Sequence, residues 1–237
     1  MIITKREHAC LVVEHSGATL VIDPGSFTAE FTVGNLAAIV VTHEHGDHVT
    51  REHLDRLLAA ARAADTGDAV AHGAVAHGAV AHSGVAHGAV AMFAPAGVAA
   101  AHPDYPWQVV DAGDVRAAGP FALAFSGGHH ATIHRSIPLV DNVGVFVNET
   151  LYYPGDSFTV PPGEVDVLAV PASAPWLKIG EVIDYLETVR PRHAFPTHER
   201  VNSDAGNAMA NARIATAVEA HGGRVTVLAP GESLELD

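Results

Sequence analysis

The chain has 237 residues, enough for one large domain or two small ones, and 48% of them are hydrophobic, enough to bury a full core. Its formal net charge of −14 argues against a surface built to embrace nucleic acid and suits a soluble enzyme with a small-molecule substrate. The single cysteine, Cys10, excludes an internal disulfide framework and a thiolate-rich zinc site, as expected of a protein of the reducing cytoplasm. Residues 1–7 lack the apolar core of a signal peptide. No apolar run reaches the length of a membrane span, since residues 91–101 are short and broken by Pro95, so no membrane partner is expected.

In chain order, residues 2–4, 9–13 and 18–22 read as short strands, the second and third joined at the turn Glu14-His15-Ser16-Gly17. The third stops at Asp23-Pro24-Gly25, a strong turn signal. Residues 37–41 form a buried strand that runs into Thr42-His43-Glu44-His45-Gly46-Asp47-His48. Thr50 can then cap a helix to about residue 64, in which Leu54, Leu57, Leu58 and Ala61 follow the i, i+3, i+4, i+7 rule of one buried face.

Residues 69–91 are a near-perfect five-residue repeat with His72, His77, His82 and His87 in phase. A period of five matches neither helix nor strand, so the repeat does not present one ligand face in regular structure. It reads as a low-complexity insertion, with a metal-collecting tract as the competing explanation. Beyond it, residues 96–101 suggest a short helix, and 107–110 and 121–125 suggest strands, the latter ending at Ser126-Gly127-Gly128-His129-His130. Residues 143–147 and 151–153 form a hairpin that runs into Pro154-Gly155-Asp156. Residues 165–170 are an apolar strand. Ile179, Val182, Ile183 and Leu186 mark a helix that stops before Pro191, and 193–196 form a strand ending at Thr197-His198. Residues 205–220 are an Ala-rich helix closed by Gly222-Gly223, and 224–228 a last strand. Mixed strands and helices in this order predict sheets covered by helices on their outer faces.

Four strand ends therefore carry metal-ligating residue types. The densest is the run from His43 to His48. His43 and His45, two apart, point the same way in an extended segment, and Gly46 permits the turn that Asp47 and His48 need. One pair can hold one ion and the next pair a second ion close by. A polar loop with chance histidines is the competing explanation, and four ligand types in six residues make it the poorer one.

These motifs together resemble the metallo-β-lactamase superfamily: Asp23-Pro24-Gly25, His43-x-His45-x-Asp47-His48, Gly128-x-His130, Pro154-Gly155-Asp156 and the strand-terminal His198. The opening Glu7-His8-Ala9-Cys10 and the turn Tyr153-Pro154-Gly155-Asp156 are similar to the branch akin to ascorbate-6-phosphate lactonase. The resemblance implies an α+β fold, an αββα sandwich of two mixed β-sheets packed face to face with helices outside. It covers residues 1–237 as one metallo-hydrolase domain with 69–91 inserted.

The resemblance further implies two divalent ions, zinc first, with manganese or iron also compatible with an all-N/O ligand set. His43, His45 and His130 would hold the first, Asp47, His48 and His198 the second, and Asp156 would bridge them. His129 competes with His130, and the spacing from Gly128 favours His130. The expected activity is hydrolysis of a small ester, lactone or phosphoester by a metal-activated water that Asp47 steers. A metal-storage protein built on the repeat and a nucleic-acid phosphodiesterase are the alternatives.

Outside the ligands, Asp23 can either hold a ligand imidazole from outside or simply make its turn. His134 is a candidate for substrate binding or proton transfer, and Trp176 and Lys178, in a strand-to-helix loop, are candidates for the substrate pocket. Tyr153 stands where relatives often have histidine and is expected to alter the pocket wall. His8 is assigned no chemistry, and the oligomeric state is left open.

Overall fold

The computed structural model describes residues 1–65 and 89–236. The predicted insertion at 69–91 lies outside the described residues as far as 88, and its last residue, Ala91, opens a strand. The first half of the chain contains β1 (Ile2–Lys5), β2 (Leu11–His15), β3 (Ala18–Ile22), β4 (Leu36–Val40), α1 (Arg51–Asp65), β5 (Ala91–Ala94), α2 (Ala96–Ala101) and β6 (Trp107–Val109). The second half contains β7 (Val115–Ala118), β8 (Phe121–His129), β9 (Asp141–Val147), β10 (Leu151–Tyr153), β11 (Val167–Pro171), α3 (Ile179–Val189), β12 (His193–Thr197), α4 (Asp204–Glu219), β13 (Arg224–Val225) and β14 (Ser233–Glu235).

The strands form two seven-stranded mixed sheets, in the orders β14-β1-β2-β3-β4-β5-β6 and β13-β12-β11-β10-β9-β8-β7. Residue alternation explains why the sheets face each other. Leu11 and Val13, Leu20 and Ile22, and Ala38 and Val40 point into one apolar layer. Val143, Val145 and Val147 and Val167 and Ala169 of the other sheet meet them there. The residues between them face the opposite way. Val12, Val21 and Ile39 pack with Leu54 and Leu57 of α1, and Phe146, Leu168 and Val170 pack with α3 and α4. The result is the expected αββα sandwich. Phe93 lies in the inter-sheet layer at 1% exposure, and cutting it to alanine would cost about 3–5 kcal/mol.

Local signals set the ends of these elements. Thr50 caps α1, its hydroxyl accepting from the His53 amide at 3.3 Å. Arg190 ends α3 in the left-handed conformation (φ 51°) just before Pro191. Asn148 and Glu149 both have positive φ, as the central residues of a type I′ turn require, and the Thr150 amide closes that turn on the Val147 carbonyl at 3.0 Å within the three-residue connection from β9 to β10.

The structure departs from the sequence-based boundaries in a few places. β8 does not stop at residue 125 but runs to His129, because Gly127 and Gly128 continue the ladder against Val143 and Asn142 of β9. β5, β7 and β14 had no prediction. β7 and β14 are short, mostly exposed edge strands with little apolar alternation to reveal them. The last predicted strand shortens to Arg224–Val225. No described helix is long and apolar enough to cross a membrane.

Candidate metal centre

The first sheet brings three segments to one rim: the turn between β1 and β2 with His8, the end of β3 with Asp23, and the end of β4 with His43 to His48. The second sheet brings the ends of β8, β10 and β12, which deliver His130, Asp156 and His198. The seven predicted ligands meet there, with the Val143 amide donating to the Thr42 carbonyl at 3.0 Å across the two sheets.

Their atoms divide into two nests. His43 Nε2 lies 3.1 Å from His45 Nδ1. Asp156 Oδ2 lies 3.3 Å from His130 Nε2 and 4.0 Å from His43 Nε2. The other oxygen, Asp156 Oδ1, lies 3.3 Å from both His48 Nε2 and His198 Nε2. Asp47 Oδ2 completes that side, 3.5 Å from His198 Nε2 and 4.0 Å from His48 Nε2. The two oxygens of one buried carboxylate thus face two different sets of imidazoles.

The outer nitrogens of four of the imidazoles are committed elsewhere. His48 Nδ1 donates to Asp23 Oδ2 at 2.7 Å. His43 Nδ1 donates to Thr42 Oγ1 at 3.1 Å, and that hydroxyl donates on to Asp23 Oδ2 at 2.6 Å. His130 Nδ1 and His198 Nδ1 each donate to a backbone carbonyl, of Ala131 and Ser173 respectively, at 2.5 Å. These bonds place the lone pairs on the Nε2 atoms, all aimed inward. Asp23 is therefore both the turn residue and the outer partner of two ligand imidazoles.

This geometry tests whether a metal fits. The Nε2 atoms of His48, His130 and His198 and the Oδ1 of Asp156 are buried without a hydrogen-bond partner. Buried polar atoms are almost always satisfied, and four orphaned lone-pair donors gathered around one carboxylate are a donor set that suits cations. The donor set fits two ions: His43, His45, His130 and Asp156 for one, and Asp47, His48, His198 and Asp156 for the other.

The electrostatics agree. Burial opposes ionisation of Asp156, yet His48 and His198 hold its carboxyl well below the usual range. Burial likewise opposes ionisation of Asp47, and hydrogen bonds from His198 and His8 hold it low. Burial lowers His43 and His45, keeping them neutral. Burial also works to lower His48 and His198, but Asp156 reverses the outcome, raising His48 well above its ordinary value and His198 to about 9. Without metal, protons on those two imidazoles take the place of the ion.

Backbone shape is specialised at the same rim. His8, Asp23 and His198 all have left-handed φ (59°, 49° and 65°), a region that His and Asp visit more readily than most residues and that clusters at functional sites. A Cβ on Gly25 would lie 1.8 Å from the Asp47 carbonyl oxygen, so only glycine lets the turn after β3 press against the ligand loop.

The remaining predicted residues fall in different places. His129 is exposed and His130 buried. Trp176 is buried with its indole N–H donated to Asp156 Oδ2 at 2.9 Å, so it holds the bridging carboxylate and does not line the pocket. Lys178 is not brought to the cluster: its side chain is 82% exposed and pairs with Glu181 at 3.3 Å, because it stands at the solvent-facing start of α3. Tyr153 lies in the inter-sheet core and not on the pocket wall. Burial, and then the charges of Asp23 and Asp156, keep its hydroxyl protonated. His134 is exposed and lines a cleft of about 340 Å³ with His45 and His130. Cys10 is fully buried, and burial pushes its thiol up, so it offers no nucleophile.

Sequence reasoning missed two supporting residues. Asn142 is fully buried and accepts from the Asp156 amide at 3.0 Å while donating to the Pro154 carbonyl at 2.9 Å, fixing the turn that carries the bridging carboxylate. His8 is fully buried, and its ring lies 3.8 Å from that of His198. Its Nδ1 accepts from the Arg200 amide at 3.2 Å, so its proton is on Nε2, which donates to Asp47 Oδ2 at 3.2 Å. His8 lies within ligand distance of the second nest, but a nitrogen that carries a proton has no lone pair for a metal. It is a partner of a ligand. The signal was present in the sequence, a histidine in the turn between two buried strands, but nothing there tied it to Asp47.

The fold has counterparts among known proteins. The β-lactamase superfamily domain matches residues 2–198. Protein Rv0786c of Mycobacterium tuberculosis is 34% identical over 207 residues, which cover 85% of each chain. Among solved structures, YhfI of Bacillus subtilis, a metallo-β-lactamase fold protein, superposes with a TM-score of 0.68 at 13% identity over 98% of both chains. Igni18, a metallo hydrolase from the archaeon Ignicoccus hospitalis, superposes with a TM-score of 0.63 at 17% identity, covering 100% of this chain and 99% of its own. With its two sheets and this match along most of its length, the chain belongs to the β-lactamase superfamily and has the metallo-β-lactamase fold.

Proposed function

We propose that the protein is a dinuclear hydrolase of small esters, lactones or phosphoesters, with zinc as the resident metal. The observation that carries this reading is Asp156, whose two oxygens face separate imidazole nests with their lone pairs uncommitted on the Oδ1 side. Five imidazoles and two carboxylates, with no thiolate, suit zinc. When bound, two such ions supply Lewis acidity to a substrate oxygen and acidify a water toward a pKa of about 7.

The chain's own groups do the rest. Asp47 is ionised, and its Oδ2 is held by His8, while its Oδ1 has no hydrogen bond to any described residue. That free oxygen can accept a hydrogen bond from the attacking water and aim it. Trp176 holds Asp156 Oδ2, so the bridge does not swing. In the cleft, His134 Nδ1 accepts from the Ser136 amide at 3.2 Å, which leaves Nε2–H as the donor. It lines the cleft beside His45 and His130 and can donate a hydrogen bond to an oxygen of a bound substrate. Buried Cys10 and the sequence, which lacks a Gly-x-Ser-x-Gly turn, offer no covalent route.

The test is metal analysis beside a hydrolysis screen of lactones, phosphodiesters and thioesters. About two ions per chain are expected. Asp156→Ala should lower the stoichiometry and abolish turnover while the far-UV spectrum is kept. A wild-type protein that binds no transition metal would end the proposal.

A further inference from the structure

The loop between His130 and β9 forms one wall of the cleft that opens onto His45 and His130. Its base is tied to the metal ligands. The His130 amide donates to the Val140 carbonyl at 3.1 Å, and the Ala131 amide donates to the Asp156 carbonyl at 2.8 Å. A turn closed by the Ile137 amide on the His134 carbonyl at 2.9 Å presents Arg135 at its tip. The loop is thus held in register with the reacting centre, and its side chains are those a bound substrate would meet.

Three features of that wall stand out chemically. First, it carries no aspartate or glutamate, in a chain with 27 acidic residues. Second, Arg135 is the only arginine or lysine in that wall, and its guanidinium has no ion-pair or hydrogen-bond partner among the described residues. Third, Ile137 and Leu139 stand 46% and 53% exposed in the same wall. An uncovered apolar strip beside a metal nest is a surface for a ligand, and an unpaired guanidinium at its end is a fork for a carboxylate. Two divalent ions set against two ionised carboxylates leave the cleft floor positive as well, which favours an anion.

We infer that the cleft takes an amphiphilic monoanion: a substrate whose scissile carbonyl faces His45 and His130, whose apolar arm lies along Ile137 and Leu139, and whose far carboxylate pairs with Arg135. The inference rests on the hydrolase reading for the word substrate, but the binding site stands on the wall alone.

The test uses the metal-loaded protein and a matched unreactive pair, hexanamide and adipic acid monoamide, which share a six-carbon arm and differ in the terminal carboxylate. Titration calorimetry should find the monoamide of adipic acid bound about tenfold more tightly, the factor expected of one charge-assisted pair. Raised salt should narrow the gap. Arg135→Gln should remove the preference, and Leu139→Ser should weaken both ligands together. Equal affinities in the wild type overturn the inference. So does a preference that survives in Arg135→Gln, because the carboxylate would then be sitting on the metal ions. The same proteins are then given p-nitrophenyl hexanoate and mono-p-nitrophenyl adipate. Binding preference without turnover of either ester, or of any compound in the hydrolysis screen, removes the hydrolase and keeps the subsite. Turnover of both esters with equal kcat/KM and no binding preference keeps the hydrolase and removes the subsite.

Discussion

Replacing His8 by phenylalanine should weaken the second metal ion selectively. The substitution keeps a ring of similar size over His198, where the centroids are 3.8 Å apart, and against Phe27, at 4.7 Å, and it removes the donor to Asp47 Oδ2. A hydrogen bond to a charged group contributes about 1.5–3 kcal/mol. At 3.2 Å this one is longer than the shortest charge-assisted bonds, so the lower end applies, about 1.5 kcal/mol or roughly a tenfold loss of affinity. Asp47 is 25% exposed in its side chain, so without His8 it is free to turn to solvent and must be re-ordered when the ion binds. The Arg200 amide loses its acceptor too, but Arg200 is exposed and water can replace it. Competition with a chelator of known affinity reads the two binding steps separately. One step should be preserved and the other shifted. His8→Gln, which restores an N–H at similar reach, should recover part of the loss. A phenylalanine variant that holds both ions like the wild type refutes the argument. Parallel loss of both ions would make His8 a general packing residue.

Other expectations follow from the same contacts. Gly25→Ala places a methyl 1.8 Å from the Asp47 carbonyl oxygen, so the ligand loop must move. A loss of at least about 1–3 kcal/mol in denaturant unfolding is expected, together with lower metal stoichiometry. Asn142→Leu strips the Asp156 amide and the Pro154 carbonyl of their buried partner, and each orphan costs about 1–3 kcal/mol in the same assay. Metal binding should release protons and tighten with rising pH, because His48 and His198 are held protonated when no ion is present. For the metal-free protein the sign is that of a raised folded-state pKa. The stabilisation by His198 is full below its ordinary 6.5 and is lost as pH climbs through about 9, so apoprotein melting should fall across that window. Calorimetry of zinc binding at pH 7.5 in two buffers of different ionisation enthalpy checks the release. An observed heat independent of buffer would contradict it.

The candidate ligands, and Asp23 behind two of them, were legible in the sequence and most of the other supports were not, and the reason is physical. A first contact to a metal needs a specific side chain, so His43, His45, Asp47, His48, His130, Asp156 and His198 announce themselves by type and by their place after apolar strands. An outer partner needs only an oxygen or an N–H in the right place. The carbonyls of Ser173 and Ala131 orient His198 and His130 and carry no signature at all, since any residue at those positions supplies one. Asn142 looks like the polar start of a strand, and His8 like a turn residue. Their partners are 14 and 39 positions away, and only the lateral ordering of strands within each sheet brings them into reach. Lys178 and Trp176 show the opposite failure. Both sit in a loop on the ligand rim, but the loop turns the indole inward onto Asp156 and the ammonium outward onto Glu181. Sequence position locates a loop at the rim, whereas the direction of each side chain within it depends on backbone torsions that residue type does not determine. The same distinction applies to the edge strands. β7 and β14 close the two sheets, but an edge strand with one solvated side needs little apolar alternation, so the periodicity that exposes β4 or β11 in the sequence is absent from them.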